Sequence, residues 1–160
     1  MDTPRPQLPD FQFHQYNDCF TLRFQGRLIL THSKDNPCLS IGSGIADIDM
    51  FRGNFSIKDK LQEKIALTDA TVSQSSDGWL IHFSRGSDIS ATLRISADDQ
   101  GRLLLELQND NHHHNRIWLR LAAQPEDHIY GCGEQFSYFD LRGKPFPLWT
   151  SEPVSYTHLR

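Results

Sequence analysis

Apolar and polar residues alternate with a period of two over most of this chain. Phe20, Leu22 and Phe24 fall on one side and Thr21 and Arg23 on the other. Gln25-Gly26 then offers a turn, and Leu28-Ile29-Leu30 opens a second apolar run, so residues 20–32 are predicted as a β-hairpin. Phe11, Phe13 and Tyr16 make a looser strand before it. Pro37 to Ile41 reads as a short strand bounded by Asp35-Asn36 and Gly42-Ser43-Gly44.

Residues 45–76 are ambiguous. Ile57, Leu61 and Ile65 recur at a spacing of four, as on one helix face, but Met50, Phe51, Phe55, Leu67 and Val72 look strand-like. No helix cap is evident, so strand is the preferred reading. Beyond residue 78 the alternation clears. Trp79, Ile81 and Phe83 are answered across Arg85-Gly86-Ser87-Asp88 by Ile89, Ala91, Leu93 and Ile95. Leu103, Leu105 and Leu107 follow a turn at Asp98-Asp99-Gln100-Gly101, and Ile117, Leu119 and Leu121 follow another at 109–115. Hairpins are thus expected at 20–32, 78–96 and 101–121. The fourteen inward residues should be Phe20, Leu22, Phe24, Trp79, Ile81, Phe83, Leu93, Ile95, Leu103, Leu105, Leu107, Ile117, Leu119 and Leu121. Arg23, Glu106 and Arg120 should face outward. Short strands between regular turn signals imply an all-β, antiparallel β-sandwich.

Composition changes this picture little. At 160 residues, 38% hydrophobic and 22% charged, the chain suits one globular domain. A net charge of −4 gives no reason to expect nucleic acid or an anionic membrane as partner. No stretch approaches the roughly 20 apolar residues of a membrane span, and the proline-rich residues 1–10 read as an extended lead-in without a signal peptide. Cys19, Cys38 and Cys132 are odd in number and far apart, so no disulfide framework is expected and a cytoplasmic location is.

Candidate chemistry concentrates in residues 128–144. Gly131 and Gly133 flank Cys132 and permit a sharp bend that would carry Glu134 and Gln135 outward. Phe136, Tyr138 and Phe139 should pin the loop to a neighbouring surface, and Arg142-Gly143-Lys144-Pro145 closes it with a turn. Such a loop suits the wall of a polar-ligand site. The alternative reading of Glu134 is a surface ion pair with Arg142 or Lys144. Asp127, Glu134 and Asp140 supply carboxylates in number, but no spacing sets two of them across a glycosidic bond. Cys132 reads as a small side chain filling the bend rather than a nucleophile. Phe136 stands where a dinucleotide-binding loop needs its third glycine, so that reading fails. His112-His113-His114 cannot all face one ion and reads as a solvated turn; no metal is expected.

The run Tyr130-Gly131-Cys132-Gly133-Glu134, then Leu141-Arg142-Gly143-Lys144 and an aromatic approach to Trp149, resembles the end of the amino-terminal domain of glycoside hydrolase family 31. Asp35-Asn36-Pro37-Cys38, residues 45–54 and residues 128–149 extend the match toward enteric bacterial members that act on sulfoquinovosides. The resemblance implies a galactose-mutarotase-like supersandwich over residues 11–152, incomplete at its C-terminal end, packing on a (β/α)8 catalytic barrel. It also implies a retaining α-glycosidase of the α-glucosidase or sulfoquinovoside-cleaving type as the whole enzyme, a carbohydrate substrate and no cofactor. The family's catalytic aspartates lie in the barrel, so none maps onto these residues and the chain alone should be inactive. What the resemblance leaves here is a rim loop with Gly131, Gly133, Glu134 and Gln135 as substrate-binding residues. Residues 153–160 depart from the family pattern and are expected to be an artefact of the gene sequence. Two alternatives stay open: a stand-alone carbohydrate-binding sandwich, and a mutarotase-type epimerase using His82, His128 and Glu134.

Overall fold

The computed structural model describes residues 10–17, 19–51, 54–109, 113–130 and 138–144. Among them are ten strands and no helix: β1 (Phe11–Tyr16), β2 (Cys19–Phe24), β3 (Arg27–His32), β4 (Leu39–Phe51), β5 (Asn54–Ala66), β6 (Asp69–Ser75), β7 (Gly78–Arg85), β8 (Ile89–Ala97), β9 (Leu103–Gln108) and β10 (Arg116–Leu119). They form antiparallel sheets in the orders β1-β2-β3, β10-β4-β5 and β6-β7-β8-β9. The fold is the all-β sandwich that the alternation predicts. Contacts divide the chain into two compact units, Met1–Gly44 with Leu61–Ala122 and Ile45–Lys60 with Ala123–Arg160.

The first unit holds the core. Phe20, Leu22 and Leu30 from β2–β3, Cys38, Leu39 and Ile41 around the start of β4, and Ile81, Phe83, Ala91, Leu93 and Ile95 from β7–β8 form one buried cluster with Leu67. Two of the three predicted hairpins, 20–32 and 78–96, form. Gln25 and Gly26 have φ of 50° and 76°, the twin positive values of a type I′ turn, whose twist matches that of the flanking strands. A register shift between Leu22 and Arg23 absorbs Ile29, so that Leu28 and Leu30 both have partners on β2. At the β8–β9 turn, the carboxylate Oδ1 of Asp98 accepts the Gln100 and Arg102 amides at 3.0 and 2.8 Å.

Three expectations need correction. Gly42-Ser43-Gly44 does not end a strand: β4 runs through it for 13 residues. Gly42 is there for close approach, since a Cβ at that position would run into the Glu63 carbonyl of β5. The 101–121 hairpin does not form either. β9 pairs with β8, whereas β10 crosses to pair with Leu39–Gly42 of β4. The crossing is fastened by Asn115, whose side-chain amide both accepts from Gly44 N (3.0 Å) and donates to Gly44 O (3.1 Å). Arg120 N and Ala122 N then donate to Cys38 O and Ile29 O, each at 2.8 Å. Third, Ile117 and Leu121 are exposed, and Trp79, Leu103, Leu105, Leu107 and Leu119 are only half-buried. β9 and β10 are edge strands of their sheets, and Leu121 lies past the end of β10. Arg23, Glu106 and Arg120 do face outward.

The core contains one ionisable ring. His32 is buried at 3% exposure, stacked on Phe20 with centroids 5.1 Å apart and tilted against Phe83 at 5.3 Å. Its Nε2 lies 3.2 Å from Thr68 O, and its Nδ1 accepts from Cys38 N at 3.4 Å. A carbonyl can only accept, so the proton sits on Nε2 and the ring is neutral. Burial pushes the His32 pKa down, with the Arg120 charge adding to it and the Thr68 bond opposing. The unfolded chain therefore binds a proton near pH 6.5 that the folded chain refuses, and stability falls as pH drops below that value. The urea midpoint should decline between pH 7 and pH 5, and His32→Asn should flatten that decline while lowering stability throughout. An identical slope in the two proteins would contradict this assignment.

Candidate functional site

The second unit contains the flanks of the loop that the sequence singles out. Asp127 folds residues 124–127 into a turn: its Oδ2 accepts from Gln124 N at 2.7 Å, and its own N–H donates to Gln124 O at 3.1 Å. Arg142 reaches back to this turn and donates through Nη1 to the carbonyls of Gln124 and, at 2.7 Å, Asp127. Asp140 then ties the two flanks together. Its Oδ2 lies 2.6 Å from His128 Nδ1, and its Oδ1 accepts the amides of Ile129 at 3.2 Å and Arg142 at 3.0 Å. An ionised carboxylate only accepts, so Nδ1 of His128 carries the hydrogen. Leu141 N donates to Ile129 O at 2.9 Å, closing the clasp. Lys144 N donates to Leu141 O at 3.1 Å across a turn with Gly143 at φ 66°, as the Arg142-Gly143 pair predicts.

The chain leaves this clasp at Tyr130 and re-enters it at Tyr138. Gly131, Cys132, Gly133, Glu134, Gln135 and Phe136 lie outside the described residues, so the clasp is what the structure shows of the site. Tyr138 and Phe139 do not pin the loop to a neighbour: they are 47% and 88% exposed. Tyr130, itself exposed, packs instead on Phe139 (5.2 Å) and His128 (5.9 Å), and Lys144 Nζ sits 5.1 Å over the Tyr138 ring. These rings spend their contacts on one another and present their remaining faces outward. The cations named as partners of Glu134 are engaged as well, Arg142 with carbonyls and Lys144 with an aromatic face.

The carboxylates sort by role. Hydrogen bonds from His128 and from the Arg142 and Ile129 amides hold the Asp140 pKa down to about 2. Such a group is a fixed acceptor and cannot serve as a general acid near neutrality. Asp127 is likewise committed to its turn. The Asp140 clasp is the element of the candidate site that the sequence reading misses. Its signal was present, because Asp two residues before the turn residue Arg142, with Gly next, is an Asx-turn pattern.

Other candidates stand apart in chemistry. His82 is exposed on β7 with Nδ1 3.2 Å from Thr92 Oγ1. Cys38 has its Sγ 3.7 Å from His32 Nδ1, but burial pushes its thiol up to about 11, which makes it inert. Cys19 is exposed. His112 lies outside the described residues, and His114 is not solvated: its side chain is 7% exposed, Nε2 lies 3.7 Å from Glu63 Oε2, and Nδ1 has no hydrogen-bond partner among the described residues. The crossing strand β10 draws the adjacent Asn115 onto Gly44 and His114 in with it. No group of three or more His, Cys, Asp or Glu among the described residues is arranged to hold a metal ion.

Residues 49–159 match the glycosyl hydrolase 31 N-terminal galactose mutarotase-like domain. The chain is 93% identical over 152 residues to a sulfoquinovosidase of Escherichia coli, which covers 95% of this chain and 22% of that protein. It is 42% identical over 141 residues to a sulfoquinovosidase of Agrobacterium fabrum, covering 88% of this chain and 20% of the other. Among solved structures, a family 31 sulfoquinovosidase from E. rectale bound to an aza-sugar inhibitor matches with a TM-score of 0.71 and 39% identity, over 89% of this chain and 20% of that one. The chain thus spans about a fifth of the length of these relatives.

The depressed pKa of Asp140 has a checkable consequence. Its contribution to the clasp is present above the unfolded carboxylate value near 3.9 and is lost as pH falls toward about 2. Amide exchange at Ile129 and Arg142 should accelerate over that window, and Asp140→Asn should accelerate it already at neutral pH. Unchanged protection at both amides in Asp140→Asn would contradict the clasp.

Proposed function

Because the chain belongs to the glycosyl hydrolase 31 N-terminal galactose mutarotase-like domain family, we propose that it is the non-catalytic amino-terminal β-sandwich of a retaining α-glycosidase of sulfoquinovosidase type. In such an enzyme one carboxylate attacks the anomeric carbon, and a second group protonates the leaving oxygen and then activates water. Both groups belong to a catalytic (β/α)8 barrel in the remaining polypeptide. This domain packs on the barrel and delivers residues 131–137 to the rim of the active site, where Glu134 accepts hydrogen bonds from substrate hydroxyls. The enzyme works in the cytoplasm, in keeping with a core thiol, Cys38, that is buried beside a histidine rather than bridged.

The observation that carries the reading is the Asp140 clasp. A hydrogen-bonded neck at 128–130 and 140–142 costs several polar groups and gives the short 131–137 segment a fixed base. Positioning of that kind is what a substrate-contacting loop needs. A second reading, a stand-alone carbohydrate-binding sandwich, draws on the exposed rings of Tyr130, Tyr138 and Phe139 at the same place, which are suited to stacking on sugar faces.

Glu134→Gln in the full-length enzyme separates a rim role from a surface role. Loss of one charge-assisted hydrogen bond costs about 1.5–3 kcal/mol, or about 10- to 150-fold in kcat/KM on a glycoside with a natural polar leaving group. An activated aryl glycoside, with fewer hydrogen bonds on that side, should suffer much less. Equal effects below about fivefold on both substrates would be those of a surface ion pair and would remove the rim role.

A further inference from the structure

We infer that the β4–β5 ribbon beyond Gly44 is the arm by which this domain docks onto the rest of the enzyme polypeptide. Both strands are 13 residues long, more than twice the usual five or six. Among the described residues, only Leu39–Gly42 of β4 is covered on its outer side, by β10. From Ile45 to Phe51 and from Ser56 to Lys64 every residue is exposed, on both faces of the ribbon. Along β4, Ile48 and Met50 share one face, at 59% and 63% exposure, while Ile45, at 59%, lies on the other with Asp47 and Asp49. Ile57 and Leu61 add 39% and 50% exposed side chains from β5.

A two-stranded ribbon has no core of its own and is marginal in water. Apolar side chains displayed on both of its faces mark a surface that another body covers. The observations favour one occupant. The relatives are about five times longer than the segment that this chain matches, so most of their polypeptide lies beyond it. In addition, Ile45–Lys60 falls into the same compact unit as the clasp at 123–144, which the proposed function sets against the catalytic part. On this inference the arm and the clasp serve the same docking: apolar contacts from Ile48 and Met50 supply adhesion, and the clasp supplies position. This inference rests on the proposed function for the identity of the partner.

The test uses this chain and the remaining four-fifths of the E. coli relative, produced separately, mixed and followed by sedimentation velocity. A one-to-one complex should form. The double variant Ile48→Lys/Met50→Lys should weaken it by about 100-fold or more, because two desolvated apolar contacts are replaced by charges. Leu80→Lys, an exposed apolar position on β7, should change it by less than about threefold. Unchanged binding by the double variant overturns the inference. So does a discrete dimer of this chain alone that the double variant dissolves, since the arm would then serve a second copy. If the separated remainder does not fold, the same two substitutions go into the full-length enzyme. There the account expects a lowered, split melting transition, and a single unshifted transition overturns it. Turnover of a sulfoquinovoside by the full-length enzyme is read independently. Its absence, with arm-dependent docking intact, would remove the proposed function and leave the docking standing.

Discussion

Phe20 and His32, stacked on each other, and Phe83, tilted against both, form a cluster of rings on which the described structure depends. It lies inside the cluster where β2–β3, the start of β4 and β7–β8 bury their apolar faces. Each fully buried Leu, Ile or Phe of that cluster contributes about 1.5–3 kcal/mol as an upper estimate. The cluster tolerates a histidine only because both ring nitrogens are satisfied, one by Thr68 O and one by Cys38 N. That pairing also ties the Leu67–Thr68 connection to the entry of β4. A neutral, fully paired ring is the condition under which three sheets share one core.

Period-two alternation made the faces of β2, β7 and β8 legible, and Phe20, Leu22, Phe24, Ile81, Phe83, Leu93 and Ile95 are all buried. Alternation tells which way a side chain points, not which strand lies alongside. That is why Ile117, Leu119 and Leu121 suggested a hairpin with β9, when β10 in fact crosses to β4. Gly42 misled for a related reason. A glycine needed for close backbone approach looks, in sequence, like one needed for a turn. The local half of the Asp140 clasp, its bond to the Arg142 amide, had a sequence signal, but the other half depends on His128 and Ile129 lying close to it in the fold, which sequence does not show. The Gly131–Gly133 bend and Glu134 stood out from residue type alone, their substrate-binding role came only from the family resemblance, and the described residues show the neck on either side of them.

A division of labour emerges between the two units. The first spends its sequence on burial and on the crossing that locks β10 to β4. The second spends it on polar fastening and on exposed apolar and aromatic groups, among them Ile48, Met50, Tyr130 and Phe139. Two of its described acids near the loop, Asp127 and Asp140, are acceptors that hold backbone amides. Carboxylates used in this way shape a site and leave bond cleavage to other groups. The proposed role as a positioning domain follows from that pattern.

The central claim is that this domain carries structure and substrate contact but no chemistry. The most direct measurement is the release of aryl alcohol from an aryl α-sulfoquinovoside, with the 160-residue chain and the full-length enzyme assayed side by side. The account predicts turnover by the full-length enzyme and none above background by the chain alone. Turnover by the chain alone that Glu134→Gln abolishes would contradict it.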